Sequence, residues 1–256
     1  MTELHFVQFT EDLGSYTPSQ HPEYGPHEAM YIYSEIFENR SYLKNQVTLP
    51  ADALIIDAGA NIGIFALFMK QEFPRAEILA FEPIPEIFEA LTRNIELQAL
   101  ESVSSFPIGL GDTDGEVSFT YYPSLPSNST RYPADKELSR HLMTGLMGAE
   151  AASRIYTGSE ITVPIARLST VLRRHGSTRQ VDLLKIDVEG AELDVLRGID
   201  DADWPRIRQV VAEVEDFHGR LSAFCTLLQE KGFSVVDEAA DGLSGSKNHM
   251  VYAVRA

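Results

Sequence analysis

The chain has one cysteine, Cys225, in 256 residues. That excludes intramolecular disulfides and zinc sites built from several thiolates. Cations are scarce as well: 21 lysines and arginines stand against 38 aspartates and glutamates, a formal net charge of −17. A surface of that sign repels phosphate backbones and anionic membranes, so neither a nucleic-acid substrate nor membrane docking is expected. It also discourages an acidic carrier protein, unless a local basic patch offsets the field. No stretch approaches the roughly 18 apolar residues of a membrane span. The N-terminus lacks the basic and apolar regions of a secretory leader, so a soluble, cytoplasmic protein is expected. Also missing, where a first strand meets a first helix, is G-x-G-x-x-G, the phosphate-cradling turn of dinucleotide sites.

That turn instead reads Leu54-Ile55-Ile56-Asp57-Ala58-Gly59-Ala60-Asn61-Ile62-Gly63, and Ile78-Leu79-Ala80-Phe81-Glu82-Pro83 follows. An apolar strand ends in an acid, a glycine-spaced turn opens a helix, and a second strand ends in another acid. Gly59 and Gly63 allow close approach to a ligand. Glu82 stands where a carboxylate accepts hydrogen bonds from both ribose hydroxyls. Asp57 lies close to where a pyrophosphate would rest, so it disfavours phosphate and suits a cation. S-adenosylmethionine has no phosphate and carries an ammonium and a sulfonium. It is therefore the expected cofactor, with Asp57 near its amino group, Asn61 orienting the loop and Asp112 reaching the adenine.

The remaining pattern alternates strand and helix. Strands are predicted at 53–58, 77–82, 103–110, 116–122, 161–167, 181–188, 208–215, 233–238 and 249–254. Helices are predicted at about 62–72, 85–98, 168–174, 190–197 and 220–231. Such repetition implies an α/β fold with a mostly parallel sheet and helices on both faces. The last two strands are expected to pair as a hairpin across 241–246. Residues 1–50 read as an N-terminal helical cap segment with one helix, Glu28 to Asn39, ahead of a domain at 51–256. The Pro/Ser/Asn-rich stretch and amphipathic run at about 123–160 read as a lid insertion. Tyr31, Tyr121, Tyr122, Met143 and Met147 are candidates to line an acceptor pocket.

Acids gather at the carboxyl ends of the later strands, where chemistry collects in open α/β sheets. Leu184-Lys185-Ile186-Asp187-Val188-Glu189-Gly190-Ala191-Glu192 is the densest run, and Glu213-Val214-Glu215-Asp216-Phe217-His218 closes the next strand. Asp187, Glu213 and His218 are the candidate catalytic residues, with His218 the candidate general base. Asp187 with Glu213 or Glu215 would also suit Mg²⁺ or a similar hard cation.

The stretches Ile55–Gly63, Ala80-Phe81-Glu82-Pro83 and Leu184–Glu192 together resemble the FkbM family of S-adenosylmethionine-dependent methyltransferases. The resemblance covers about residues 50–255. It implies a class I, Rossmann-like methyltransferase fold, a seven-stranded sheet whose last strand is antiparallel. It also implies O-methylation of a natural-product or sugar hydroxyl. Asp57, Gly59, Asn61, Gly63, Glu82, Pro83, Asp112 and Asp187 are then the expected cofactor-binding residues. A narrower resemblance, carried by Glu35-Ile36-Phe37, Tyr42-Leu43, Phe119–Pro123 and Trp204–Val211, is to members associated with polyketide and nonribosomal peptide biosynthesis. The acceptor is then a small molecule, free or carrier-bound. The alternatives are a polysaccharide or glycolipid sugar, or a scaffold that binds cofactor without turnover.

Overall fold

A computed structural model describes residues 3–19, 21, 24–176, 178–240 and 245–255. The chain opens with β1 (Leu4–Thr10), β2 (Leu13–Pro18) and α1 (Tyr24–Tyr33), and α1 runs into a wider π-type turn at Ser34–Glu38. The alternating body follows: β3 (Leu54–Ala58), α2 (Ile64–Glu72), β4 (Glu77–Phe81), α3 (Pro85–Leu97) and β5 (Val103–Phe106). Next come β6 (Gly109–Leu110), β7 (Gly115–Tyr121), α4 (Lys136–Met147), α5 (Ala149–Ile155), β8 (Ser159–Ala166) and α6 (Leu168–His175). The chain ends with β9 (Leu183–Ile186), α7 (Glu192–Arg197), β10 (Gln209–Glu215), α8 (Arg220–Glu230), β11 (Phe233–Ala239) and β12 (Asn248–Arg255).

Seven strands form the main sheet in the order β11-β12-β10-β9-β3-β4-β5. All pairs are parallel except those of β12, which runs antiparallel to both β10 and β11. The expected architecture and terminal hairpin are therefore present; residues 241–244 of its loop lie outside the described residues. Chain order reverses between β3 and β9, the crevice where open α/β sheets bind ligands.

Strand periodicity sorts the core into two faces. Leu54, Ile56, Leu184, Ile186, Val210 and Ala212 pack against residues of α6, α7 and α8. Ile55, Ile78, Leu183 and Val211 pack with Phe65 and Phe68 of α2, Ala29 of α1 and Tyr252. Asp57, Lys185, Asp187, Glu213 and Glu215 share the parity of this second face, and Asp57 lies directly opposite Lys185 in the β3–β9 register. Register alone thus gathers the site.

Three expectations change. Residues 1–50 are not purely helical: β1 and β2 form an antiparallel hairpin, and α1 begins at Tyr24. The hairpin is fixed by a distant side chain: Asn94 of α3 accepts from Tyr16 N (2.6 Å) and donates to the oxygens of Tyr16 (2.9 Å) and Ile62 (2.8 Å). The 103–110 strand is two strands, because Gly109–Leu110 leaves the main sheet and joins β8 and β7 in a small sheet of its own. The apolar run 181–188 is strand only over Leu183–Ile186; Val181 makes a single bridge to Ile207. Residues between β7 and β8 carry α4 and α5, and β8 already begins at Ser159. Among the described residues, no helix is long and apolar enough to cross a membrane.

Candidate active site

The β3–α2 turn has a geometry that glycine permits. Gly59 has φ +79°, and a Cβ there would stand 1.8 Å from the carbonyl oxygen of Asp187. The first turn and the end of β9 therefore touch through a position that accepts no side chain. Gly63, also left-handed at φ +89°, starts α2 against Leu91. Asn61 adopts φ +49°, and its Oδ1 accepts a hydrogen bond from Ile62 N (2.7 Å).

Glu82 is buried, and backbone amides grip both its oxygens: Asn61 N donates to Oε2 (3.1 Å) and Ile84 N to Oε1 (2.9 Å). Burial pushes its carboxyl up to about 7, against the pull of those two amides. A carboxylate has about four acceptor sites, so each oxygen keeps one toward the cavity it lines. That fits a pair of vicinal hydroxyls.

The cavity measures about 970 Å³. Gly59, Asn61, Glu82, Pro83, Asp187, Glu213 and Glu215 all line it, so most of the expected constellation meets in one place. Both Glu213, expected among the catalytic residues, and Glu215, expected only as an alternative metal ligand, reach the cavity. Tyr31, Met143 and Met147 line it as expected, while Tyr121 and Tyr122 are not among its lining residues.

Asp57 is corrected from a cavity-lining residue to a support: it is fully buried, with its Oδ1 3.1 Å from Lys185 Nζ. The same amine donates to the Gly59 carbonyl (2.7 Å) and stands 3.5 Å from Asp187 Oδ2. Burial works against the Lys185 charge, and Asp57 with Asp187 more than offsets it, so its pKa lies above the ordinary lysine value. Asp187 Oδ2 also accepts from the Tyr42 hydroxyl (3.0 Å). Burial and the neighbouring Asp187 push the Tyr42 phenol well up, so it remains a donor. Glu213 Oε1 accepts from Asn248 Nδ2 (2.5 Å). Burial, then the charges of Asp187 and Glu35, hold the Glu213 carboxyl well above the usual carboxylate range.

Two other expectations fail on geometry. The His218 side chain is 84% exposed and stands 3.6 Å from Asp135 Oδ1, outside the cavity. The reason is local: His218 (φ +57°) and Gly219 (φ +75°) turn the chain away after β10 ends. Asp112 is exposed, 3.7 Å from Arg131 Nη1, and does not line the cavity either. For a metal, Asp187 takes the Tyr42 bond and Glu215 Oε1 lies 2.7 Å from Lys136 Nζ. Among the described residues, no three His, Cys, Asp or Glu side chains converge as a ligand set. Lys185, Tyr42 and Lys136 are the functional neighbours that sequence reasoning assigned no role. Lys185 had a signal: a charge inside an apolar parallel strand requires a buried partner.

A seven-stranded sheet with antiparallel β12, a glycine turn at the switch point and a carboxylate ending β4 define a class I methyltransferase. The family model of the methyltransferase FkbM domain matches residues 57–235. The chain belongs to that family and is an S-adenosylmethionine-dependent methyltransferase. It is 39% identical to Methyltransferase 1 of Beauveria bassiana, over 94% of each chain. It is 41% identical to the 31-O-demethyl-FK506 methyltransferase FkbM of Streptomyces tacrolimicus, over 89% of this chain and 90% of that one. Among solved structures, the methyltransferase FkbM of Methylobacillus flagellatus superposes with a TM-score of 0.57 at 10% identity, over 86% of this chain and 47% of that one. At that identity the superposition supports the fold alone.

Proposed function

We propose that the protein methylates a hydroxyl of a small natural-product acceptor. One observation carries this reading: the Glu82 corner and a largely apolar chamber belong to a single cavity, lined also by Asp187 and Glu213. Its volume of about 970 Å³ is at the top of the range for small-molecule sites, enough for cofactor and acceptor together. Tyr31, Ile32, Leu142, Met143 and Met147 form the apolar wall, which suits an apolar acceptor body and excludes water. The relatives named as a 31-O-demethyl-FK506 methyltransferase and as the AMB antimetabolite synthetase AmbE support an acceptor of the natural-product type. The charge of −17 favours a free acceptor over one on an acidic carrier.

S-adenosylmethionine, when bound, supplies an electrophilic methyl on a positively charged sulfur. Glu82 holds the ribose, Gly59 and Asn61 shape the turn beside it, and the carboxylates of the cavity suit the cationic end. Asp187 is the general base: Tyr42 orients it, and Lys185 lies beside it. Glu213, kept protonated by its surroundings, holds the acceptor oxygen by a hydrogen bond.

The test is a turnover screen with S-adenosylmethionine and hydroxylated natural products. Asp187→Asn should lower kcat by about 100-fold or more, the usual scale of a positioned base. His218→Ala should leave kcat within about twofold. An Asp187→Asn enzyme with more than half of wild-type turnover would overturn the assignment.

A further inference from the structure

Helix α4 borders the cavity, yet its attachment is unusual. Of its twelve residues, Lys136 alone is fully buried. Leu142, Met143 and Met147 are half-buried and line the cavity, and Leu146 is 68% exposed. A surface helix normally docks through an apolar stripe. Here the first residue does that work with a charge.

The Lys136 amine is 2% exposed and bonds two carboxylates. One is Glu215, the last residue of β10, at 2.7 Å; the other is Glu189, in the loop after β9. Just before α4, the Thr130 hydroxyl donates to the Glu189 carbonyl (2.5 Å). Arg220 Nη2 holds Asp135, the residue preceding Lys136, at 2.8 Å. The loop carrying Glu189 also carries Asp187, and Glu189 itself has φ +54°, a conformation that needs outside support. Burial works against the Lys136 charge, and Glu189 with Glu215 more than offsets it, lifting its pKa above the ordinary value.

We propose that Lys136 is a positioning residue: by bridging Glu189 and Glu215 it latches α4 onto the strand ends and so fixes the acceptor-facing wall. The inference rests on the proposed acceptor chamber for its catalytic meaning, but the latch itself needs no acceptor. An ion pair buried this deeply resists salt, and removing one partner leaves two uncompensated carboxylates behind. The helix then loosens as a unit, because its apolar face of Leu142, Met143 and Met147 is only half-buried.

Hydrogen exchange of the full chain, with and without S-adenosylhomocysteine, tests this. In Lys136→Met, amides of α4 should exchange at least about tenfold faster. Amides of β3 and β9 should keep wild-type rates, and S-adenosylhomocysteine affinity should stay within about twofold. With any acceptor the wild type methylates, the acceptor KM should rise and the S-adenosylmethionine KM should not. Glu215→Gln keeps the Glu189 contact and should loosen α4 to a lesser degree. It decides the matter if Lys136→Met does not fold. Wild-type exchange in α4 of both variants would overturn the latch, and so would equal acceleration in α4, β3 and β9. Failure of S-adenosylhomocysteine to bind the wild type would count against the methyl-transfer site instead, and would leave the exchange comparison intact.

Discussion

Lys185→Met perturbs the most tightly enclosed charge in the site. Asp57 is fully buried, and neither of its oxygens accepts a well-aligned hydrogen bond among the described residues. Its compensation is the Lys185 ammonium 3.1 Å away. At an effective dielectric constant near 20, that separation corresponds to roughly 5 kcal/mol of attraction. Breaking a buried pair on one side typically costs about 3–5 kcal/mol. Methionine fills most of the lysine volume, so cavity formation adds little. The expected loss is therefore about 4 kcal/mol, measured as the change in urea midpoint at constant m-value.

The loss also carries a pH signature. Burial already raises the Asp57 carboxyl in the wild type, against the pull of Lys185, and removing the lysine raises it further. A group raised in this way favours folding at low pH and opposes it as pH rises through the gap. The Lys185→Met deficit should thus be smallest below the wild-type Asp57 pKa and grow by up to about 1.4 kcal/mol per pH unit between the wild-type and variant values. The double variant Asp57→Asn/Lys185→Met should recover most of the loss. A deficit below about 1 kcal/mol at pH 8, or one that does not change with pH, would refute the pairing argument.

Two further predictions concern the cofactor corner. Burial places the Glu82 carboxyl at about 7. Its acceptor form is present above that pH and lost below it, so S-adenosylhomocysteine affinity should fall roughly tenfold from its plateau by pH 6; a flat profile by calorimetry, or the same slope in Glu82→Gln, would contradict the assignment. Gly59→Ala should cost more than about 3 kcal/mol and abolish S-adenosylhomocysteine binding, because its Cβ would stand 1.8 Å from Asp187 O; wild-type stability and affinity would show that the two turns can separate.

The parallel sheet was legible because buried parallel strands are apolar runs: Leu54-Ile55-Ile56 and Leu183-Leu184 mark themselves. The acids Asp57, Asp187, Glu213 and Glu215 were legible as strand-end residues, but that they share one face with Lys185 follows only from the observed register. The N-terminal hairpin was not legible, since Leu13–Pro18 has no strand alternation and is held by Asn94, 78 residues from Tyr16. His218 misled for the opposite reason. It is close to the strand end in sequence, but two successive left-handed residues rotate it out. Lys136 gave no local sign at all, because its partners are 53 and 79 residues away.

The crowd of carboxyls becomes intelligible when charge is followed through the reaction. Lys185 and Lys136, the buried amines of the site, are each held by two carboxylates, and Arg131 is held by Asp194. No cation among these three is left to bind an anionic ligand. Burial raises Glu82 to about 7 and, with the neighbouring charges, holds Glu213 well above the usual carboxylate range, so the wall already retains protons near neutral pH. Methylating a hydroxyl consumes one sulfonium charge and releases one proton. If Asp187 keeps that proton, the cavity holds the same net charge before and after transfer. The surrounding groups then need not reorganise as the reaction proceeds, which is the condition under which fixed charges are most effective. An acidic, water-poor site with its amines already paired is thus suited to a donor that brings a sulfonium and an ammonium and to a neutral acceptor, and poorly suited to a phosphorylated one.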